Sequence, residues 1–293
     1  MSEQTLQAPR VLPSSLNEGG AGVSYDFSEA IVLVTGAARG MGRDIARRFA
    51  GYGASVVASD VASHVDALGY EVASEDDLDL TVAEIRDAGA EAHSFRADVR
   101  DEQQVEALVA ETVARYGRLD ILINNAGVYT GAPITELTEE AWDAAVDVNL
   151  KGPFLCAKHA ARHMTTREGG GRIVTVSSTS ALVGIPNQAS YQASKHGIVG
   201  LTRTLALELA PFGVTVNTIC PTVVYTPMLD FLMDTGKAYF QEVARLCGSS
   251  TVFPGLDALD VRDVSEAVLW ISSPAARYVT GIALPIDGGF TCK

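Results

Sequence analysis

What this chain has little of narrows its reading first. Positive charge is scarce: 22 Lys and Arg stand against 36 Asp and Glu, a formal net charge of −14 over 293 residues. That balance speaks against nucleic acid and against anionic membrane surfaces as partners. Cysteine is sparse too. Cys156, Cys220, Cys247 and Cys292 are scattered without metal-ligand or redox spacing, so no metal site is expected and the thiols read as reduced and cytoplasmic. No apolar run approaches the length of a membrane span. The first residues lack a basic-then-apolar leader pattern, which makes a cytoplasmic enzyme the expectation. Internal repeats are absent. A hydrophobic content of 47% with 20% charged residues is enough to fill the core of an ordinary soluble protein.

Residues 1–27 are rich in Gly, Ser, Pro and Gln and show no sustained period. They read as a mobile tail or an arm on another subunit, with a single folded domain over 28–293. IVLVTGAARGMG follows from Ile31: a buried strand, a turn with Gly36, Gly40 and Gly42, then a helical pattern. Such a unit brings backbone N–H groups and a helix N-terminus to a pyrophosphate. The spacing is TGxxxGxG rather than GxGxxG, and its place after a strand strengthens it. A second strand ends at Asp60, roughly 20 residues on, where a carboxylate accepts hydrogen bonds from the adenosine ribose and repels a 2′-phosphate. Asp60 therefore favours NAD over NADP, while Arg39 in the turn points the other way as a phosphate contact. Further strands end near Asp98, near Asn125-Ala126-Gly127, at Ser178 and at Pro221, with helices between them. That alternation predicts an α/β fold: one doubly wound, Rossmann-like parallel sheet with helices on both faces and ligands at the strands' carboxyl ends.

Tyr191 and Lys195 lie four residues apart in a helix-compatible run, on one helix face. A free Tyr titrates near about 10, and bringing it to about 7 costs about 4 kcal/mol. A cation held beside it supplies part of that by favouring the phenolate. Such a Tyr exchanges protons with an alcohol or carbonyl at neutral pH. Ser178, at the end of RIVTVSS, is placed to hydrogen-bond the same substrate oxygen. Residues 138–164 read as one long helix in which Asn149 is a polar residue in an apolar stretch and Pro153 should kink the helix or free a carbonyl. Asn149 is either a satisfied core amide or the holder of a water beside Lys195.

TGAARGMG, Asp60, ADV at 97–99, NNAG at 124–127, Asn149, Ser178 and Tyr191-x-x-x-Lys195 stand together in an order and spacing that resembles the short-chain dehydrogenase/reductase family over about residues 28–293. The resemblance implies a catalytic tetrad of Asn149, Ser178, Tyr191 and Lys195. It also implies a homotetramer built on helices 138–164 and 189–210. Candidate cofactor contacts are Gly36, Arg39, Gly40, Met41, Gly42, Asp60, Val61, Asp98, Val99, Asn125, Ala126, Gly127, Tyr191, Lys195, Pro221, Val224 and Thr226. Candidate substrate contacts are Ser178, Ser180, Tyr191 and Tyr225. The long segment after Asp60, CPTVVYTPM and YVTGIALPIDGGF are similar to carveol dehydrogenases and the mycofactocin-associated group of actinobacteria. That likeness implies a tightly held NAD and an apolar or terpenoid-like secondary alcohol. Thr222 stands where the wider family has Gly. A Thr does not enter positive φ cheaply, so a different turn is expected there.

Two segments carry further expectations. Residues 61–77 are long for a strand-to-helix connection. Their apolar members Val61, Val65, Leu68, Tyr70 and Val72 are expected to pack over the adenosine half of NAD, or to decorate the adjoining helix or a subunit contact. Residues 222–259 mix Met, Phe, Leu and Tyr with Gly and Pro and read as a substrate lid or a helix pair. Two rival functions stay open: a ketoreductase acting on a polyketide or acyl thioester, and a non-catalytic NAD-sensing regulator.

Overall fold

The computed structural model describes residues 24–62, 68, 70–230, 248, 250–253 and 256–292. Val65, Cys247 and the central part of the expected lid, 231–247, lie outside them.

Short runs, rich in β-branched residues in β1, β5 and β6, make the sheet. Strands β1 (Ile31–Thr35), β2 (Ser55–Asp60), β3 (Ala92–Arg96), β4 (Ile121–Asn124), β5 (Gly171–Val176), β6 (Val214–Pro221) and β7 (Ala283–Ile286) form one sheet in the order β3-β2-β1-β4-β5-β6-β7. Every pairing is parallel. A parallel sheet is covered on both faces, so its strands carry apolar residues on both sides. In β1, Val32 and Val34 join one core while Leu33 joins the other, as the period of two requires. The first core lies under helices α1 (Gly40–Gly51), α2 (Glu75–Asp87) and α7 (Val261–Ser272). The second lies under α3 (Glu102–Tyr116), the helical segment 139–164 and the Ala206 and Leu209 side chains of α6 (Ala189–Leu209). The order reverses between β1 and β4, and a crevice at the carboxyl ends there is the ligand position of this architecture.

Local sequence sets the helix ends. Ser74 and Asp77 form a capping box at α2, Asp260 and Asp263 another at α7, and Asp101 caps α3. Gly117, at φ 77°, ends α3 in the left-handed conformation. No helix among the described residues is long and apolar enough to cross a membrane.

Three boundaries differ from expectation. The folded unit starts before Ser28: Phe27 is buried against Phe49 with ring centroids 4.9 Å apart, and Tyr25 meets Tyr52 edge-on. The connection after β2 ends at Ser74, because the Ser74–Asp77 box draws 75–77 into α2. The long helix 138–164 is two helices, α4 (Glu139–Val146) and α5 (Gly152–Met164), joined through a π-helical turn at Asp147–Lys151. Pro153 explains the turn. It has no N–H to give the carbonyl four residues back, at Asn149, so the ladder shifts register there.

Candidate active site

A cleft opens at the carboxyl ends of β1, β2 and β4. It encloses about 980 Å³ counted out into the open solvent at its mouth. Gly36, Arg39, Gly40, Met41, Asp60, Val61, Asp98, Val99, Asn125, Ala126, Gly127 and Thr226 line it. Three features fit a dinucleotide. Gly36 and Gly40 have φ of +66° and +57°, and a Cβ on Gly36 would stand 2.7 Å from the Ala126 Cα, so the turn presents bare backbone. Ser59 Oγ faces the cleft, buried and without a hydrogen-bond partner. Asp60 ends β2 on the same wall.

The Asp60 carboxylate joins two turns. Oδ2 accepts from Ala38 N at 3.1 Å and Oδ1 from Ala62 N at 3.3 Å. Burial raises its pKa above the ordinary value, against the lowering by those N–H groups and by Arg39. Ala62, two residues on, takes a φ of 47°, a left-handed conformation that costs a non-glycine residue energy. Arg39, the expected phosphate contact, donates instead to the Glu71 carbonyl at 2.6 Å. The turn thereby holds the long connection after β2. Asp98 is gripped by the Arg100 guanidinium through both carboxylate oxygens, at 3.0 and 2.6 Å. Burial opposes ionisation of Asp98, but the Arg100 bonds win and its pKa is lowered.

The second cluster sits beyond Gly127. A Cβ there would stand 3.3 Å from Asn149 Oδ1 and 3.7 Å from Lys195 Nζ. The buried Lys195 ammonium donates to the Val176 carbonyl at 3.1 Å and lies 5.5 Å from the centre of the Tyr191 ring. Burial lowers its pKa to about 8, with the Cys220 thiol acting weakly the other way. Ser177 Oγ donates to the Lys195 carbonyl at 3.2 Å, fastening α6 to the end of β5. Ser178 follows, its Oγ accepting from Ser180 N at 3.1 Å.

Several candidates sit elsewhere than expected. Of the two readings of Asn149 the satisfied amide is the one seen: it accepts the Val128 N–H at 2.8 Å and donates to the Val128 carbonyl at 2.9 Å. Gly42 does not line the cleft; a Cβ there would collide with the Gly36 carbonyl, and its smallness serves helix-to-turn packing. The Val224 side chain is buried in the first core, bridged to Leu259. Pro221 is buried at the end of β6 opposite Ile286. Ser180 is buried and its hydroxyl donates to Gln188 Oε1 at 3.0 Å. Tyr225 is 58% exposed. Thr222 avoids positive φ, and its hydroxyl donates to the Ser250 carbonyl at 2.9 Å. Sequence reasoning missed Arg100, Val148 and Met228 on the cleft wall. Only Arg100 carried a signal, its position two residues after Asp98.

The short chain dehydrogenase family model matches residues 30–236. The (−)-trans-carveol dehydrogenase of Rhodococcus erythropolis is 38% identical over 275 residues, 90% of this chain and 98% of that protein. The cis-4-hydroxycyclohexanecarboxylate dehydrogenase of Sinomonas cyclohexanicum is 38% identical over 269 residues, 90% of this chain and 98% of the relative. Among solved structures, carveol dehydrogenase from Mycobacterium avium in complex with NAD superposes with a TM-score of 0.84 at 32% identity, covering 92% of this chain and all of that one.

Proposed function

The chain belongs to the short chain dehydrogenase family, and from that premise we propose that it interconverts a secondary alcohol and a ketone with NAD, on a cyclic, largely apolar substrate. The observation that carries this is a buried ammonium, Lys195, 5.5 Å from the ring centre of Tyr191 and just behind Gly127, in the wall of a cleft whose turn glycines and Asp60 fit a dinucleotide. Asp60 at the ribose position supports NAD over its 2′-phosphorylated form. Gly36, Gly40, Asp60 and Asn125–Gly127 would hold the cofactor, and when bound it supplies the hydride acceptor.

The chain's own residues do the rest. Tyr191 takes the alcohol proton at its phenol oxygen in oxidation and returns it in reduction. Lys195, charged below about pH 8, favours the phenolate. Ser178 Oγ hydrogen-bonds the substrate oxygen and steadies charge developing on it. Asn149 holds Val128, next to the cofactor-facing Gly127. Any water beside Lys195 then falls to the Asn149 carbonyl, which Pro153 deprives of its helical donor.

Residues 61–74 are proposed to slow cofactor release. Val61, Tyr70, Val72 and Ala73 line the cleft, and the segment is tied by Arg39 to Glu71 and by Tyr129 to Tyr70. A homotetramer in the cytoplasm completes the reading. Trp142, Phe154 and Leu207, at 38%, 44% and 80% exposure, are the apolar side chains that helices α4, α5 and α6 offer a partner copy.

The test is the near-ultraviolet absorbance of purified protein after cyclic secondary alcohols are added, with and without external NAD. Reduced nicotinamide should appear. Its absence for every alcohol tried, with no loss of NADH absorbance when the matching ketones are supplied with NADH, overturns the reading. Light scattering in the same buffer decides the tetramer.

A further inference from the structure

The loop after β4 gathers polar groups from three distant parts of the chain onto three successive residues. Val128 exchanges two hydrogen bonds with the Asn149 amide. Tyr129 N donates to the Tyr70 hydroxyl at 2.9 Å. Thr130 Oγ1 lies 2.8 Å from Ser190 Oγ, and Ser190 immediately precedes Tyr191. The loop is thus fixed to the π-helical turn, to the connection after β2, and to the first turn of α6. Its middle residue also touches Tyr191 directly: the two rings lie 5.3 Å apart, tilted by 53°.

We propose that Tyr129 is a specificity-determining wall of the substrate site and that Tyr70 is the positioning residue that holds it there. The inference rests on Tyr191 being the proton-exchanging group. A substrate oxygen that reaches the Tyr191 phenol brings its carbon skeleton alongside the neighbouring ring. A flat aromatic face there gives a cyclic skeleton many dispersion contacts and a short acyclic one few. The ring's place is narrowly set. A Cβ at residue 131 would collide with the Tyr129 hydroxyl, so Gly131 leaves room for the ring where it stands. Thr130 is buried and fixed to Ser190. The Tyr129 N–H depends on Tyr70, a residue brought from 59 positions away. Tyr70 itself is packed against the second core, and burial raises its pKa, with the Tyr129 N–H and Arg39 opposing. It therefore remains a neutral phenol able to accept that bond at working pH. Losing the acceptor takes one hydrogen bond from a part-buried N–H, a cost that loosens the loop.

The experiment compares wild type, Tyr70→Phe, Tyr129→Ala and the double variant. Phe keeps the packing of the Tyr70 ring and deletes only its hydroxyl. Hydrogen exchange of the Tyr129 amide should quicken about tenfold in Tyr70→Phe, the size of one lost hydrogen bond, while the β1 amides hold. The ratio of kcat/KM for cyclohexanol to that for isopropanol should fall by a similar factor of about ten. Tyr129→Ala should lower the same ratio, and adding Tyr70→Phe to it should change the ratio no further, because both act through one wall. Unchanged exchange, an unchanged ratio, or full additivity in the double variant overturns the proposal. Tyr191→Phe separates the two readings. If that variant keeps turning over cyclohexanol, the functional assignment fails. If it is inactive while Tyr70→Phe matches wild type in exchange and ratio, only the Tyr70–Tyr129 inference fails.

Discussion

At the amino ends of the strands, Asp120 holds Arg118 and Arg167 at 2.7 Å each and accepts the Ile31 N–H at 2.9 Å. At the carboxyl ends, Lys195 is buried beside a carbonyl and has no carboxylate partner among the described residues. The first arrangement neutralises charge where it stands. The second leaves charge exposed to change: burial pushes Lys195 down to about 8 and pushes Asp60 above its ordinary value. Asp98, paired with Arg100, is the exception on that rim. Groups displaced toward neutrality respond to whatever charge or proton arrives next to them, which is the property a reaction needs. Paired groups hold the frame.

The sharpest way to break this contrast is Tyr191→Phe. The ring keeps its contact with Tyr129 and loses only its proton-carrying oxygen. Turnover should fall by at least about 10²-fold, as for a lost general base, with cofactor binding intact. Steady-state rates with calorimetric NAD titration check it, and near-normal turnover would sink the assignment.

Asp120→Ala probes the opposite end. It strands Arg167, whose side chain is 17% exposed, and the Ile31 N–H. A loss of about 2–4 kcal/mol in unfolding free energy is expected, with kcat per folded molecule unchanged. Urea titration and active-site-normalised rates decide. A stable variant with reduced kcat would mean the two ends are not separable.

Asp60→Ala returns to the rim with a smaller effect. It removes the anion proposed to face the ribose, together with the link between Ala38 and Ala62. NAD should bind about tenfold more weakly, the size of one charge-assisted hydrogen bond, and NADP relatively better. A wild type that prefers NADP would overturn the assignment of Asp60.

The same contrast explains what the sequence disclosed. Strand runs such as IVLV and VTVNTIC are buried on both faces, and burial leaves a local apolar signature. Gly36 is legible because a Cβ there would run into Ala126, and Gly40 because its positive φ favours glycine. What depended on distant partners was not. Arg39 reads as a phosphate contact, and its bond to Glu71, 32 residues on, is invisible in the sequence. Asn149 offers an amide that any polar neighbour could use, and Val128 uses it. Phe27 looks like tail until Phe49 is seen beneath it. Pro153 announced a broken ladder, but only packing selects a π-helical turn over a kink.

The smallest expected effect concerns Lys195 as a titrating group. Its folded pKa is about 8 against an ordinary 10.5. Above about 8 the folded protein has released this proton while the unfolded chain still binds it. Stability therefore rises with pH through the window from about 8 to 10.5, and the contribution is lost as pH falls through 8. From pH 7 to pH 9 the linkage amounts to about 1 kcal/mol. Cys220, pushed up to about 11 chiefly by burial, titrates above that range and leaves it clear. Other groups still contribute, so the difference between two proteins is the measure. Cofactor-free wild type should gain about 1 kcal/mol relative to Lys195→Met between those two pH values, read by urea unfolding at each. Equal slopes would mean that Lys195 keeps its proton through pH 9, and that its charge beside Tyr191 is not the labile one the buried site implies.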